Sequence, residues 1–223
     1  MASRQALIFI GGDAPHTNAF AYSLTSADPD ALIIAADSGW EFAIAAGRTP
    51  HLLIGDMDSI DPQHLKDAHD RDVDIIQHSP DKDHTDTELA LQLAQSLQYD
   101  NIHVITGGGD RFDHVLAMIH SLVNFTNDAT VTAHIGQSFV RIATPKERTD
   151  ITIKVGDTIS LIPLGGHAKG VTTTGLKWNL TRSTLKSFES RGVSNVATST
   201  DITVHIRTGI LAIIVTPTES NPQ

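Results

Sequence analysis

Short apolar runs alternate with helical patterns over the first 135 residues, and several of these runs stop at glycine or aspartate. Leu7-Ile8-Phe9-Ile10 meets Gly11-Gly12-Asp13, and Ala31–Ala36 ends in Asp37-Ser38-Gly39. Leu52-Leu53-Ile54, Ile75-Ile76, Ile102–Ile105 and Thr130–His134 supply four further strands. Helical stretches are expected near 16–25, over 40–46, and from about Asp113 to Asn124. One more helix can be read closely. Thr85-Asp86-Thr87-Glu88 fits a capping box, with Thr85 as N-cap and Glu88 three residues on. Leu89, Leu93 and Leu97 then form an apolar stripe that would face a sheet. Strands separated by helices predict a mostly parallel sheet built from βαβ units.

The pattern changes after residue 136. Phe139–Ala143, Ile151–Val155, Thr158–Ile162, Val171–Thr174, Val193–Thr198, Ile202–Ile206 and Ile210–Val215 are short and often β-branched. Gly156-Asp157, Gly165-Gly166 and Thr208-Gly209 punctuate them. Closely spaced strands with turn signals predict a β-sandwich or a partly open barrel. The chain therefore divides into an α/β domain over 1–135 and an all-β domain over 136–223, with a frayed tail from Pro217.

Composition narrows the function classes. Hydrophobic residues make up 40% and charged residues 19%, an ordinary globular balance. The formal net charge of −10 argues against a nucleic-acid-binding surface, though not against a nucleotide held through a cation. Cysteine is absent, which removes any disulfide framework and most support for zinc. No apolar stretch approaches a membrane span, and the N-terminal run is too brief for a signal peptide, so a soluble, cytoplasmic protein is expected.

The candidate chemistry lies where strands end. Gly55-Asp56-Met57-Asp58-Ser59 follows the third strand, and Asp81-Lys82-Asp83-His84-Thr85-Asp86 opens a helix. Thr106-Gly107-Gly108-Gly109-Asp110-Arg111-Phe112-Asp113 links the fifth strand to another helix. Each motif has a plainer explanation when taken singly: a local Asp/Ser turn, a solvated loop, a tight glycine turn. Residues just beyond strand C-termini line the ligand crevice of an open α/β sheet, and the three motifs together suit a site for a divalent cation and phosphates. Two carboxylates about 4 Å apart repel by roughly 4 kcal/mol at an effective dielectric near 20. Mg²⁺ matches such hard oxygen donors. Trp178, alone, reads as a core or interface aromatic, with a stacking face for a flat heterocycle as the alternative.

In order, Ala36-Asp37-Ser38-Gly39, Gly55–Ser59, Asp81–Asp86, Gly108–Asp113, Gly175–Trp178 and Ser194-Asn195 resemble the motifs of the thiamine pyrophosphokinase family. The resemblance covers nearly the whole chain. It implies a Rossmann-like, three-layer α/β domain binding ATP and Mg²⁺, followed by a β-sandwich for thiamine binding and dimerisation. The reaction implied is transfer of the pyrophosphoryl group of ATP to the thiamine hydroxyl, giving thiamine diphosphate and AMP; the alternatives are a related Mg²⁺–ATP pyrophosphokinase acting on another small alcohol, or a non-catalytic nucleotide- or thiamine-binding module. Active sites would lie at the interface of a homodimer. Asp56, Asp58, Asp83, Asp86 and Asp113 would form the catalytic set, with Asp56, Asp58 and Asp86 on Mg²⁺. Asp37, Lys82, Thr85, Gly108, Gly109 and Arg111 would serve the nucleotide, and Trp178, Ser194 and Asn195 the thiamine. Two positions depart from the pattern: Ser38 stands where the family has glycine, and His114 where some relatives carry glutamine.

Overall fold

The computed structural model describes residues 3–15, 28–109 and 111–218. The helix expected near 16–25, Asp110 and the last five residues lie outside them. The chain falls into two units, Met1–Gln137 and Ser138–Gln223.

In the first unit, six strands run β1 (Gln5–Phe9), β2 (Leu32–Ala36), β3 (Leu52–Gly55), β4 (Asp74–Gln77), β5 (Asn101–Thr106) and β6 (Thr130–Ile135). Their spatial order is β6-β5-β1-β2-β3-β4, and every pairing within this set is parallel. Alternation sends Leu7, Phe9 and Ile33 to one face, where they pack with Ala43 of helix α1 (Gly39–Ala45). On the same face, Leu53 and Ala35 meet Trp40, Ile60 and Ala68. The intervening residues Ile8, Ile34 and Ile54 are buried as well, so the strands read as continuous apolar runs, as a sheet buried on both faces requires.

Helix α2 (Pro62–Asp70) was not expected from the apolar pattern, although its start is signalled. The Asp61 side chain caps it by accepting from Gln63 N–H at 2.7 Å, and proline occupies the first helical turn. Helix α3 (Asp86–Ser96) begins with the capping box expected of Thr85 and Glu88. Its buried stripe is Ala90, Leu91 and Ala94, not the leucines at 89, 93 and 97; Leu97 is 41% exposed. Small alanines let this helix approach β1, β2 and β3, and a leucine count overlooks them. Helix α4 (Phe112–Ser121) continues as a 3-10 turn over Leu122–Phe125. Among the described residues no helix is long and apolar enough to cross a membrane.

In the second unit, β7 (Ser138–Ala143), β9 (Thr158–Pro163), β12 (Asn195–Val196) and β14 (Leu211–Thr216) form an antiparallel sheet ordered β12-β9-β14-β7. The second sheet is ordered β11-β10-β13-β8 from Ser183–Leu185, Ala168–Thr174, Asp201–His205 and Thr149–Thr152. Phe139, Ile159, Leu161, Ile213 and Val215 of the first share one core with Val171, Leu185, Ile202 and Val204 of the second. Two antiparallel sheets enclosing a common core make a β-sandwich. The run Val193–Thr198 yields only two residues of strand, because Ser194 takes a positive φ of 58°. β11 had no clear apolar signature.

Candidate active site

Parallel register brings the carboxylates together. Ala36 pairs with Ile54, so Asp37 and Gly55 leave neighbouring strands side by side. Asp37 turns back in the left-handed region at φ 44°, and its Oδ1 accepts the Met57 N–H at 3.0 Å. A Cβ on Gly55 would lie 2.1 Å from that oxygen. Glycine is thus the residue that lets the buried Asp37 carboxylate reach the loop. Asp56 in turn accepts the Asp58 N–H at 3.2 Å. Oxygens of Asp37, Asp56 and Asp58 all lie within 4.8 Å of one another.

These groups line a cavity of about 470 Å³ together with Asp86, Thr85, Ser38 and, from the loops after β1 and β5, Gly12 and Gly108. Lys82 supplies the countercharge: its Nζ lies 3.2 Å from Asp56 Oδ2 and also donates to Asp86 Oδ1. Both ion pairs are largely shielded from solvent, with 15% of the Lys82 side chain exposed. Burial pushes the Asp37 carboxyl up to about 7, the Asp86 carboxylate adds repulsion, and the Met57 N–H opposes both. Asp56 moves the other way, because hydrogen bonds from Asp58 and Lys82 outweigh its desolvation. Asp58 is raised by the hydrogen bond and charge of Asp56. Desolvation works against the Lys82 ammonium, but Asp86 and Asp56 hold its pKa above the ordinary value.

The other sequence candidates fall in several places. Asp83 is exposed and does not line the cavity. Arg111 does line it, yet its guanidinium is paired with Asp113, Nε at 3.0 Å and Nη2 at 2.8 Å, and touches His114 Nε2 at 2.7 Å. Its hydrogen bond holds Asp113 down at about 2. The Gly108 N–H is committed to Thr106 Oγ1 at 3.1 Å, and the Gly108 carbonyl accepts from Asp13 N–H at 3.0 Å. That loop therefore clamps the Gly11–Asp13 loop, and the Gly108 amide is not free for a phosphate. Gly109 lies beside it at φ 122°.

In the sandwich, Trp178 is 56% exposed, which removes the core reading of this residue. Lys177 Nζ sits 4.7 Å from the ring centroid. Asn195 is buried and braces the Trp178 backbone, and the Ser194 N–H donates to Ser160 Oγ at 3.1 Å.

The fold and cavity together define an α/β protein with an acidic crevice at the C-terminal edge of a parallel sheet, joined to a β-sandwich. Two family models match it: "Thiamin pyrophosphokinase, catalytic domain" over residues 25–133 and "Thiamin pyrophosphokinase, vitamin B1 binding domain" over 140–211. The chain belongs to the thiamin pyrophosphokinase family. It is 28% identical over 163 residues to thiamin pyrophosphokinase 1 of Caenorhabditis elegans, a match spanning 69% of this chain and 65% of that one. Identity to thiamine pyrophosphokinase 1 of rice (Oryza sativa subsp. japonica) is 29% over 155 residues, 66% of this chain and 59% of the relative. The chain thus spans less than two thirds of these curated relatives. The crystal structure of thiamine pyrophosphokinase from Bacillus subtilis superposes with a TM-score of 0.83 at 26% identity, covering 96% of this chain and 99% of that one.

Proposed function

We propose that this protein is an ATP-dependent thiamine pyrophosphokinase, transferring the β,γ-pyrophosphoryl group of ATP to the hydroxyethyl oxygen of thiamine with release of AMP. The observation that carries the reading is the convergence of Asp37, Asp56 and Asp58 beside Lys82, in a chain matched by both domains of the family. The strand order supports a Rossmann-like, three-layer reading of the first unit. Sheet growth reverses between β1 and β5, and the loops after these two strands both line the cavity, which is where such folds seat nucleotides.

The carboxylate set fits a hard divalent cation. Three oxygens lie within one coordination span, and Lys82 neutralises only Asp56 and Asp86, leaving Asp37 and Asp58 short of positive charge. Asp37, Asp56 and Asp58 would hold Mg²⁺, which supplies Lewis-acid neutralisation of phosphate oxygens when bound. Lys82 keeps Asp56 and Asp86 ionised and oriented. A crevice carboxylate accepts the proton of the attacking alcohol, a weak nucleophile without such a base. Thr85 fixes the start of α3 and so the position of Asp86. Asp83, Asp113, Gly109 and Arg111 flank this centre as the outer part of the nucleotide site. Trp178 offers its exposed ring to the thiamine heterocycle, positioned by Asn195 and Ser194. We read the working form as a homodimer, in which the sandwich of one copy serves the catalytic unit of the other.

The test is product analysis. Purified protein with ATP, Mg²⁺ and thiamine should give AMP and thiamine diphosphate in equal amounts. ADP with thiamine monophosphate would rule out pyrophosphoryl transfer.

A further inference from the structure

The second sheet of the sandwich has a core face and an outward face. Val171 and Thr173 on β10 and Ile202 and Val204 on β13 point inward and are buried. At one end of the opposite face the cations Lys169, Arg182 and Arg207, together with His205, Thr172 and Thr184, enclose a recess of about 570 Å³.

Three permanent positive charges gather here in a chain of formal net charge −10. Among the described residues none of the three forms an ion pair. The described recess lining contains no carboxylate, and two acids of the same unit are paired with other cations, Asp150 with Arg148 at 2.8 Å and Glu189 with Lys186 at 2.7 Å. Clustered like charges repel, and that repulsion is relieved by a bound anion.

The backbone is shaped to hold this cluster. Strand pairing slips between Lys169 and Val171, at Gly170 with φ 70°. A Cβ on Gly170 would come 2.7 Å from the Arg207 Cβ, so the glycine is what admits Arg207 beside the strand. The Arg207 N–H donates to the Lys169 carbonyl at 3.0 Å, and the Lys169 N–H to the Thr208 carbonyl at 2.9 Å. Arg182 itself adopts φ 45°, its N–H donating to Thr172 Oγ1 at 3.2 Å. Strain of this kind at a charged residue is kept where the surrounding structure demands it.

We propose that this recess binds a small oligophosphate anion, sharing no residue with the carboxylate-lined cavity. Two guanidinium forks match phosphate oxygens bidentately and the ammonium adds a point charge, with threonine hydroxyls as further donors. Among the described residues no phenylalanine, tyrosine or tryptophan lines the recess, so it reads phosphate charge and not a nucleobase. The site stands whether or not the proposed reaction is correct.

Isothermal titration of the full chain with inorganic tripolyphosphate in EDTA, at low ionic strength, tests this directly. Without a divalent cation the acidic crevice repels the probe, leaving the cationic recess to bind it. One site per chain is expected, weakening as salt rises. Arg207→Gln and Arg182→Asn (asparagine tolerates the left-handed backbone) should each weaken binding roughly tenfold, the scale of a lost charge-assisted hydrogen bond. Arg207→Gln should not lower the melting temperature, because it relieves repulsion. An ATP titration in the same buffer that matches tripolyphosphate assigns the site to any phosphate tail; binding of tripolyphosphate alone assigns it to the free anion. No binding by the natural chain, or unchanged binding by the double variant, overturns the proposal. So does a double variant that alters oligomeric state while binding tripolyphosphate normally, which would make this face a protein interface.

Discussion

The Asn195 carboxamide grips the backbone of Trp178 at both ends: its Oδ1 accepts the Trp178 N–H at 3.1 Å, and its Nδ2 donates to the Trp178 carbonyl at 2.9 Å. A buried side chain therefore does for this loop what a strand partner does in a sheet. The exposed indole is carried on a fixed backbone and not on a mobile one.

Removing that grip should separate binding from chemistry. Asn195→Ala removes the side-chain partner of three backbone groups, the Trp178 N–H and carbonyl and the Val196 N–H, and is expected to cost about 1–3 kcal/mol of stability. On the proposed reaction, the KM for thiamine should rise at least several-fold while the KM for ATP stays close to that of the natural chain. Steady-state kinetics with each substrate varied decides this; equal rises in both constants would show general unfolding and not loss of a thiamine-positioning element.

Lys82 bridges Asp56 and Asp86, so its removal leaves two shielded carboxylates without their cation. Lys82→Met should be less stable than the natural chain in EDTA, by a few kcal/mol on the scale of a broken, largely buried ion pair. Added Mg²⁺ should raise its melting temperature more than it raises that of the natural chain. Equal Mg²⁺ responses in differential scanning calorimetry would show that the carboxylates do not share a cation site with the lysine.

Gly55→Ala drives a methyl into Asp37 Oδ1, at a φ of 152° that L side chains rarely adopt. A loss of about 1–3 kcal/mol is expected from backbone strain alone. Asp37→Ala in the same chain removes the obstacle, so the double variant should recover part of the stability lost in Gly55→Ala, without regaining turnover. Urea unfolding of the two single variants and the double variant measures this coupling; strict additivity would contradict it.

His134 on β6 is buried against His103 on β5, with ring centroids 5.3 Å apart and His103 Nδ1 at 3.1 Å from His134 Nε2. Burial, with the neighbouring imidazole adding to it, holds the His134 pKa down at about 3. In the unfolded chain this group protonates near 6.5. Between those values the unfolded state binds more protons, so stability falls as pH falls, by up to about 1.4 kcal/mol per pH unit. Denaturation at pH 7.5 and pH 5 should show a smaller drop for His134→Gln than for the natural chain. Identical slopes would place the acid sensitivity elsewhere.

Much of this was legible before the structure. The strand-end aspartates announced an acidic crevice, and Thr85-x-x-Glu88 marked the start of α3 correctly. The grouping of Asp37 with Asp56 and Asp58 has no local signature. It depends on the pairing of Ala36 with Ile54, and parallel register is a tertiary property that no local pattern encodes. Asp86, assigned to the cation by resemblance, lines the same cavity but is held by Lys82, four residues earlier in the loop that leads into α3. Helix α2 was missed although Asp61-Pro62 is a strong start signal, because its buried face reduces to Ala68. The three-cation recess was invisible for a related reason. Lys169, Arg182 and Arg207 are scattered in sequence, and only a bulge and a positive-φ arginine assemble them.

The position of β14 within its sheet has a consequence for how the chain is made. Among the described strands this one comes last in sequence, yet it lies between β7 and β9, pairing with five residues of the first and six of the second. Ile213 and Val215 fill the middle of the sandwich core. During synthesis the α/β unit has all its strands early and can fold as a unit. The sandwich waits, with a slot open at its centre and two unpaired edges beside it. Any chain released before residue 211, or clipped there, carries both edges as ready templates for pairing with its neighbours.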